Sequence, residues 1–305
     1  MPFSHQKNKN LIVVSGPTAS GKTTLAIELA KKLNTQIISA DSRQFYSEMK
    51  IGTAAPTLKE LSEVKHHFVG NKSITDKYDI YKYELDVIEL LDKLFLEFDN
   101  VVLCGGSGLY IDAVVNGIDE LPDPDLTYRK FLKNKIKEGK LSELLDELKE
   151  IDLEYYNIVD KKNPTRVMRG LEVYQSTGEK FSDLRKGENK KRNFNTYKFF
   201  IDMPRELIYD RINRRVDLMI SDGLVSEATK LYEYKNYNSL KTVGYSEIFK
   251  YLENEYTLEQ AIEKIKTNSR RYAKRQLTWI KRDKNYIPIQ TSDDIIEYLK
   301  ANKII

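Results

Sequence analysis

Short apolar runs alternate with amphipathic stretches over the first third of the chain. Runs of strand length occupy residues 11–14, 36–40 and 101–104. Apolar positions recur at helical spacing over residues 24–33 and again over 80–98. Alternation of strands and helices with short links is typical of a parallel sheet that helices cover on both faces. The pattern therefore predicts an α/β fold in which ligand-binding loops gather beyond the carboxyl ends of the strands.

The middle of the chain has a different composition from its two ends. Residues 125–192 are rich in Lys and Glu and read as a series of helices, and the strand pattern returns at 197–202. We therefore predict a sheet-containing core made of residues 1–120 and 195–305. A helical insertion domain at 121–194 interrupts this core.

The first predicted strand runs into a glycine-bearing loop that satisfies the phosphate-loop pattern. The loop consists of Gly16, Pro17, Thr18, Ala19, Ser20, Gly21, Lys22 and Thr23. Such a loop turns backbone N–H groups and a helix N-terminus toward a phosphate, with the lysine as a cation and the threonine as a Mg²⁺ ligand. The alternative is a turn that matches by chance. The strand before it and the helix after it favour a polyphosphate site, without saying which polyphosphate binds.

The second predicted strand ends at Asp41, and the fold class places this residue near the phosphate loop. Three roles suit an aspartate there: a magnesium-associated acid, a general base, or the N-cap of a helix. The sequence alone does not choose among them. The third predicted strand ends in Cys104, Gly105 and Gly106 and not in the aspartate typical of ATPases, which argues against ATP hydrolysis as the main activity.

Three further features carry two interpretations each. The Gly105–Gly108 segment reads either as a second phosphate turn or as a tight backbone contact. Arg211, Arg214 and Arg215 share one predicted helix, where they are either cations for a diphosphate or surface charges. Trp279 is either a core residue or a stacking partner for a basic helix face.

Positive charge is concentrated near the C-terminal end. The whole chain has a net charge of +4, but residues 264–284 alone carry nine Lys and Arg against one acid, Asp283. A cationic patch of this density suits a polyanion such as nucleic acid. The alternative is a solvated helix face.

Composition narrows the class of protein. The chain has 305 residues, 40% of them hydrophobic, enough for one good core and a smaller lobe. Its single cysteine, Cys104, excludes intrachain disulfides and cysteine-based zinc sites and favours a reducing compartment. Residues 1–10 are polar, and no stretch reaches the ~18 apolar residues of a membrane span. We therefore expect a cytoplasmic protein without a secretion signal or membrane segment.

Eight segments together resemble those of the tRNA dimethylallyltransferases of bacterial type, in the same order. The segments are GPTASGKT, ISADSRQFY, IGTA, LCGGSGLY, NPTRVMRGLEVYQSTGE, LIYDRINRRVDLMISDGLVSEA, TVGYSEI and YAKRQLTW. The match runs from about Leu11 to Trp279, and the combination is far more specific than any single segment. The resemblance implies a P-loop NTPase-like core with a helical insertion. It also implies transfer of a dimethylallyl group from dimethylallyl diphosphate to N6 of adenine 37, beside the tRNA anticodon.

The resemblance further implies roles for individual residues. Asp41 would be the base at the adenine amine. The phosphate loop would hold the diphosphate, with Mg²⁺ on Thr23. Lys22, Ser107 and Arg215 would complete the catalytic set. The implied tRNA contacts are Asp41, Ser42, Arg43, Gln44, Ser107, Arg129, Thr165, Arg166, Val167, Met168 and Arg169.

Two positions depart from the family pattern. Ser107 replaces a more usual threonine and keeps the hydroxyl, whereas Ala55 stands where a lysine is common, so a cation is missing there. The zinc-finger extension of eukaryotic members is not found in this sequence, which fits the bacterial type. The implied partners are tRNA and dimethylallyl diphosphate, with no membrane, and we expect a monomer.

Three other functions compete with this one. A small-molecule P-loop kinase would use the same loop for ATP but leaves the insertion and the basic stretch 264–284 unexplained. A non-catalytic RNA-binding protein with a nucleotide switch would make Asp41 dispensable. Prenylation of free AMP would need neither the insertion nor the basic stretch. Tight ATP binding with phosphate transfer to a metabolite would favour the kinase.

Overall fold

The structure is a computed structural model that describes residues 9–187 and 189–305. The expectation of no secretion signal concerns residues 1–10, of which 1–8 lie outside the described residues. The strands are β1 Asn10–Ser15, β2 Ile37–Ser39, β3 His66–His67, β4 Asn100–Gly105, β5 Asn195–Ile201 and β6 Tyr286–Ile289. The helices are α1 Lys22–Lys32, α2 Leu58–Glu63, α3 Ile80–Glu97, α4 Gly108–Asn116, α5 Leu126–Lys137, α6 Leu141–Ile151, α7 Leu153–Ile158, α8 Pro164–Thr177, α9 Phe181–Leu184, α10 Arg205–Ser221, α11 Leu224–Lys230, α12 Tyr245–Leu252, α13 Leu258–Ile280 and α14 Ser292–Ala301.

The chain divides into two compact units. The first combines Met1–Val115 with Lys191–Ile305, and the second is Asn116–Lys190. The second unit overlaps the insertion predicted at 121–194, but its ends lie five and four residues earlier. Among the described residues, no helix combines the length and the apolar character needed to cross a bilayer.

The first unit contains a six-stranded sheet with the order β3-β2-β4-β1-β5-β6, in which each neighbouring pair is parallel. Leu11 and Val13 of β1 face a core layer with α3 and α4, whereas Ile12 and Val14 face a layer with α1 and α14. Side chains alternate along a strand, so a sheet covered on both faces needs apolar residues at successive positions. The predicted α/β fold is confirmed.

The strand order brings three loops to one edge of the sheet. β1 leads into the phosphate loop, β2 leads to Asp41, and β4 ends at Gly105. β4 pairs with β1 on one side and with β2 on the other, so the three carboxyl ends are neighbours.

The helices α10 to α13 add a third apolar cluster to the first unit. Tyr245 and Ile248 of α12 and Ile265 of α13 lie in it, fully or almost fully buried. Phe45 and Met49, from the segment that follows Asp41, are buried in the same cluster. This packing anchors the segment after β2 to the helical layer.

The second unit consists of α5 to α9 around its own core. Leu148 of α6 and Leu171 of α8 are buried there. Asn163 caps the start of α8, since its Oδ1 accepts the Arg166 N–H at 3.3 Å. Gly178 ends α8 with a left-handed φ of 74°, a conformation that glycine adopts at little cost.

Candidate active site

The phosphate loop joins β1 to α1 through a left-handed turn. Gly21 has a φ of 95° and is the N-cap of α1, and Ala19 has a φ of 64°. Because Gly21 has no Cβ, it adopts this conformation without steric cost. α1 begins at Lys22, two residues earlier than its apolar pattern predicts. The free N–H groups of its first turn therefore lie at the loop, where they favour an anion.

Lys22 folds back over the loop. Its Nζ donates to the Pro17 carbonyl oxygen at 2.7 Å. The pKa of Lys22 is lowered to about 8, mainly by burial; the positive charge of Arg215 acts in the same direction, and the negative charge of Asp41 acts against it. A cation that is costly to bury is stabilised when an anion arrives beside it.

Asp41 caps a turn and not a helix. Its Oδ1 accepts the N–H groups of Arg43 at 2.9 Å and Gln44 at 3.3 Å, and residues 42–45 form a turn. The helix N-cap interpretation is therefore wrong for this position. Over the described part of the chain, Oδ1 alone accepts hydrogen bonds, which leaves Oδ2 able to accept a proton. Asp41 combines a local structural bond with a second, available oxygen.

The Gly105–Gly108 segment makes a tight backbone contact, as one of its two interpretations predicts. A Cβ on Gly105 would lie 2.2 Å from the Ala40 carbonyl oxygen, and one on Gly108 would lie 2.2 Å from the Trp279 ring. Trp279 packs against this segment and donates from Nε1 to Asp112 Oδ2 at 2.9 Å. The glycines allow close packing, and the tryptophan holds α13 against the start of α4.

Ser107 supports the loop that carries Asp41. Its Oγ accepts the N–H of Ser42 at 3.1 Å, and the residue is 9% exposed. Tyr272 of α13 lies beside it: burial and the charge of Asp41 together raise the pKa of Tyr272 to about 12, against a hydrogen bond with Ser107 that lowers it. Tyr272 is thus a neutral phenol close to the aspartate.

The three arginines of α10 have different surroundings. Arg215 Nη1 donates to Thr18 Oγ1 at 3.2 Å, and burial lowers its pKa while the charge of Asp41 opposes the shift. Arg211 Nη1 lies 3.4 Å from the Ser20 carbonyl oxygen. Arg214 pairs with Asp210 at 2.9 Å on the exposed surface. Two of the three therefore lie at the phosphate loop.

Two neighbouring cavities share Asp41. The larger one, of ≈ 860 Å³, is bordered by Lys22 and Thr23 of the phosphate loop, and the smaller one, of ≈ 440 Å³, by Arg43 and Arg275. Thr18, Asp41, Thr53, Ala54, Arg215, Met219 and Tyr272 border both. A carboxylate thus stands where a phosphate compartment meets a cationic compartment.

The residues after Asp41 differ in their surroundings. Ser42 and Arg43 border the smaller cavity. The Gln44 side chain borders the larger one, where its Nε2 donates to the Ala54 carbonyl oxygen at 3.1 Å. Gln44 thereby holds the segment that contains Ala55, the position where a lysine is more common.

Two side chains that the sequence did not single out hold the loops of the site. Gln276 of α13 accepts the Thr18 N–H and donates to the Gly106 carbonyl oxygen, each at 2.8 Å. Glu227 of α11 accepts the Ile51 N–H at 2.9 Å. Both residues belong to segments quoted above, but spacing within a helix does not show which loop a polar side chain contacts.

The surroundings of Thr23 fit a magnesium ion that arrives with a diphosphate. Thr23 and Asp41 border the same cavity, so a hydroxyl and a carboxylate are both at hand. Over residues 9–187 and 189–305, no group of three or more His, Cys, Asp or Glu could hold a metal by itself. Mg²⁺ is commonly bound through one or two protein oxygens together with substrate phosphates, and this donor set is of that kind.

The α8 segment predicted to contact tRNA contains both exposed and buried residues. Thr165 and Arg166 are exposed in the first turn of the helix. Val167 and Met168 are 0% and 5% exposed, because they form part of the core of the second unit. The Val167 and Met168 side chains are therefore occupied in this core, and the predicted tRNA contact at these two positions stays a prediction.

The two arginines predicted to contact tRNA in the second unit have partners inside that unit. Arg129 donates from Nε and Nη2 to the buried carboxylate of Glu172 at 2.6 and 2.7 Å, and this pairing raises its pKa. Arg169 Nη2 donates to the Pro122 carbonyl oxygen at 2.8 Å. Both guanidinium groups therefore also stabilise the helical unit.

The basic stretch 264–284 lies mostly on α13, which ends at Ile280. Arg271 and Lys274 are exposed on this helix. Arg270 instead donates from Nη1 to Asn213 Oδ1 at 2.6 Å. α13 therefore presents an exposed cationic face, but with fewer cations than the nine Lys and Arg counted in residues 264–284.

The parallel sheet and the Gly16–Thr23 loop make this a P-loop protein, and its phosphate loop shares a cleft with Asp41. Residues 44–283 match the family described as IPP transferase. The chain is 47% identical over 294 residues to tRNA dimethylallyltransferase 1 of Phocaeicola vulgatus, covering 95% of this chain and 98% of the relative. The chain belongs to the IPP transferase family.

Solved structures give the same result. A full-length tRNA isopentenylpyrophosphate transferase from Bacillus halodurans is 35% identical, with a TM-score of 0.70 and coverage of 97% of both chains. A eukaryotic dimethylallyltransferase, described as acting on tRNA, is 27% identical, with a TM-score of 0.74, over 89% of this chain and 70% of the other. The predicted family and fold class are confirmed.

Proposed function

We propose that this protein transfers a dimethylallyl group from dimethylallyl diphosphate to N6 of adenine 37 in tRNA and releases diphosphate. The observation that carries the proposal is the position of Asp41, which borders both the phosphate-loop cavity and the cationic cavity. The allylic diphosphate would enter the first and the adenine the second. Because the acceptor is a tRNA, the reaction takes place in the cytoplasm, and one chain carries the complete set of groups.

The chemistry requires charge stabilisation on one side and a base on the other. As the C–O bond to the diphosphate breaks, negative charge grows on the leaving group, where Lys22, Arg215 and the loop N–H groups stabilise it. As the bond from N6 to the allylic carbon forms, Asp41 takes the proton from N6. The N6 lone pair is delocalised into the adenine ring, so the nucleophile depends on this base.

Mg²⁺ is part of the proposal. Bound to Thr23 and the diphosphate oxygens, the ion would neutralise leaving-group charge. Lys22 and Arg215 act on the same oxygens from the protein side. The role of Thr23 is supported by its position on the border of the same cavity as Asp41.

Recognition of RNA is proposed for two surfaces. In the first unit, Arg43 and Arg275 border the smaller cavity, and Arg271 and Lys274 are exposed on α13. In the second unit, the exposed first turn of α8 offers Arg166. An adenine must leave its stack to reach Asp41 inside the cleft, and unpaired loop nucleotides do this at least cost.

The reaction itself is the direct test. Incubation with tRNA, Mg²⁺ and labelled dimethylallyl diphosphate, followed by nucleoside mass analysis, should reveal N6-dimethylallyladenosine at position 37. Omission of tRNA, and its replacement by AMP, should give no product. Equal prenylation of free AMP, or phosphate transfer from ATP to a metabolite, would contradict the proposal.

Lys22 should give the reaction a basic pH limit. With a pKa of about 8 in the free protein, Lys22 is charged below that pH and neutral above it. Its contribution to diphosphate binding is therefore complete at lower pH and is lost as pH rises through 8. The kcat/KM for dimethylallyl diphosphate should fall above about pH 8, by up to about tenfold per pH unit. A profile that stays level to pH 9.5 would contradict this.

The exposed cations of α13 should determine part of the salt dependence of tRNA binding. Replacing Arg271 and Lys274 by Gln should reduce the slope of log K against log salt by roughly 1.4 to 1.8, since each phosphate contact contributes roughly 0.7 to 0.9. Affinity for dimethylallyl diphosphate should stay unchanged. Lys93→Gln, on the exposed face of α3, is the control. An unchanged slope in the α13 variant would make this face a solvated surface.

A further inference from the structure

One face of α13 meets three loops of the proposed site. Tyr272, Gln276 and Trp279 follow one another at spacings of four and three residues, so their side chains share one helix face. Tyr272 contacts Ser107, and Trp279 packs on the segment that begins α4. Gln276 lies between them and is 6% exposed.

The Gln276 amide makes one hydrogen bond with each of two loops. Its Oε1 accepts the N–H of Thr18 in the phosphate loop, and its Nε2 donates to the carbonyl oxygen of Gly106, each at 2.8 Å. One partner is a donor and the other an acceptor, so a carboxylate or an ammonium would satisfy only one of them. The residue type matches the two partners, which lie on loops far apart in sequence.

Both loops are otherwise packed closely against this amide. A Cβ on Gly106 would lie 2.2 Å from Gln276 Nε2 and 3.3 Å from the Gly16 carbonyl oxygen. The Thr18 hydroxyl accepts a hydrogen bond from Arg215 Nη1 at 3.2 Å. The amide therefore sets how far the phosphate loop lies from the end of β4.

We propose that Gln276 is a positioning residue for prenyl transfer, which fixes the distance between the diphosphate and the base. From Gly106 the chain continues to Ser107, whose Oγ holds the Ser42 N–H next to Asp41. The connection thus runs from the leaving-group loop, through the Gln276 amide, to the loop of the base. This inference rests on the proposed function of the same site.

Loss of this spacing affects the transfer step more than substrate binding. Reacting groups must meet within a few tenths of an ångström, and a misplacement of ~1 Å costs roughly 10²-fold in rate. Tight binding of tRNA, in contrast, depends on many phosphate contacts. We expect a 10- to 100-fold smaller rate constant for transfer, with tRNA affinity unchanged.

The test compares two variants in single-turnover prenylation at saturating tRNA and dimethylallyl diphosphate. Gln276→Glu keeps the acceptor for Thr18 but loses the donor to Gly106, and Gln276→Met loses both bonds without adding a charge. Each should lower the rate constant, and Met more than Glu. Gln260→Glu on the same helix is the matched control, because the Gln260 side chain accepts the Thr257 N–H in a helix cap, where Glu serves equally well.

The contact between Gly106 and the Gln276 amide can also be disrupted by substituting the glycine. Gly106→Ala should displace the amide and lower the rate constant as the Gln276 variants do. In the double variant Gly106→Ala, Gln276→Met, the rate constant should fall by a smaller factor than the product of the two single-variant factors. The reason is that both substitutions remove the same contact. Independent, multiplying effects would overturn the proposal.

The observed rate constant separates positioning from simple stability. A residue that matters only for folding lowers the reaction amplitude, which counts active molecules, and leaves the rate constant unchanged. That result, or a rate constant within twofold of wild type in Gln276→Met, would overturn the proposal. An inactive wild-type chain would instead refute the proposed function, and the positioning role with it.

Discussion

Asp41→Asn should lower kcat for tRNA prenylation by roughly 10² to 10⁴, the usual contribution of a general base. Asn keeps an oxygen that can accept the Arg43 and Gln44 N–H groups, so the turn should persist. It lacks an oxygen that can take a proton from N6. Single-turnover prenylation measures the loss, and filter binding should show unchanged tRNA affinity.

The control for this substitution lies at another capping aspartate. Asp79 caps α3, where its Oδ1 accepts the Lys82 N–H at 2.8 Å, and Asp79→Asn should leave rate and stability near wild type. If Asp41 mainly held Mg²⁺, raising the magnesium concentration would restore much of the lost rate. A folded Asp41→Asn protein that prenylates tRNA at close to the original rate would refute the role of base.

Lys22→Ala should lower kcat by roughly 10² to 10³, the size expected when one donor to a developing anion is removed. The fold should tolerate the change well. Burial lowers the pKa of Lys22, which means that the charged form is disfavoured in the folded protein. Thermal unfolding of the variant should therefore show a Tm equal to or above that of wild type.

Lys31 provides the matched control on the same helix. It forms an exposed ion pair with Glu63, away from the phosphate loop, so Lys31→Ala should retain nearly full activity. Near-normal kcat in a folded Lys22→Ala protein would remove this lysine from the mechanism.

Much of the fold follows from local patterns in the sequence. The apolar runs at 11–14, 36–40 and 101–104 became neighbouring strands of one parallel sheet, since a strand covered on both faces needs apolar residues at every position. The spacing of glycine and lysine in residues 16–23 predicts the phosphate loop, because the backbone turn itself requires these residue types at those positions.

Helical periodicity contains information that simple motif matching overlooks. Arg211 and Arg215 are four residues apart and both lie at the phosphate loop, whereas Arg214 is turned toward solvent. In the same way, Val167 and Met168 lie on the core side of α8. A motif names consecutive residues, but a helix turns each one about 100° from the last.

The sequence by itself predicted the central strands, the two helices between them, the phosphate loop and the composition change and, through resemblance, the family. Tertiary structure alone decided which polar side chains hold the loops. Gln276 looks like any polar residue of an amphipathic helix until α13 packs against the sheet and its amide meets Thr18, 258 residues away. Local patterns record periodicity and turn geometry, whereas a contact over that distance exists only once the chain has folded.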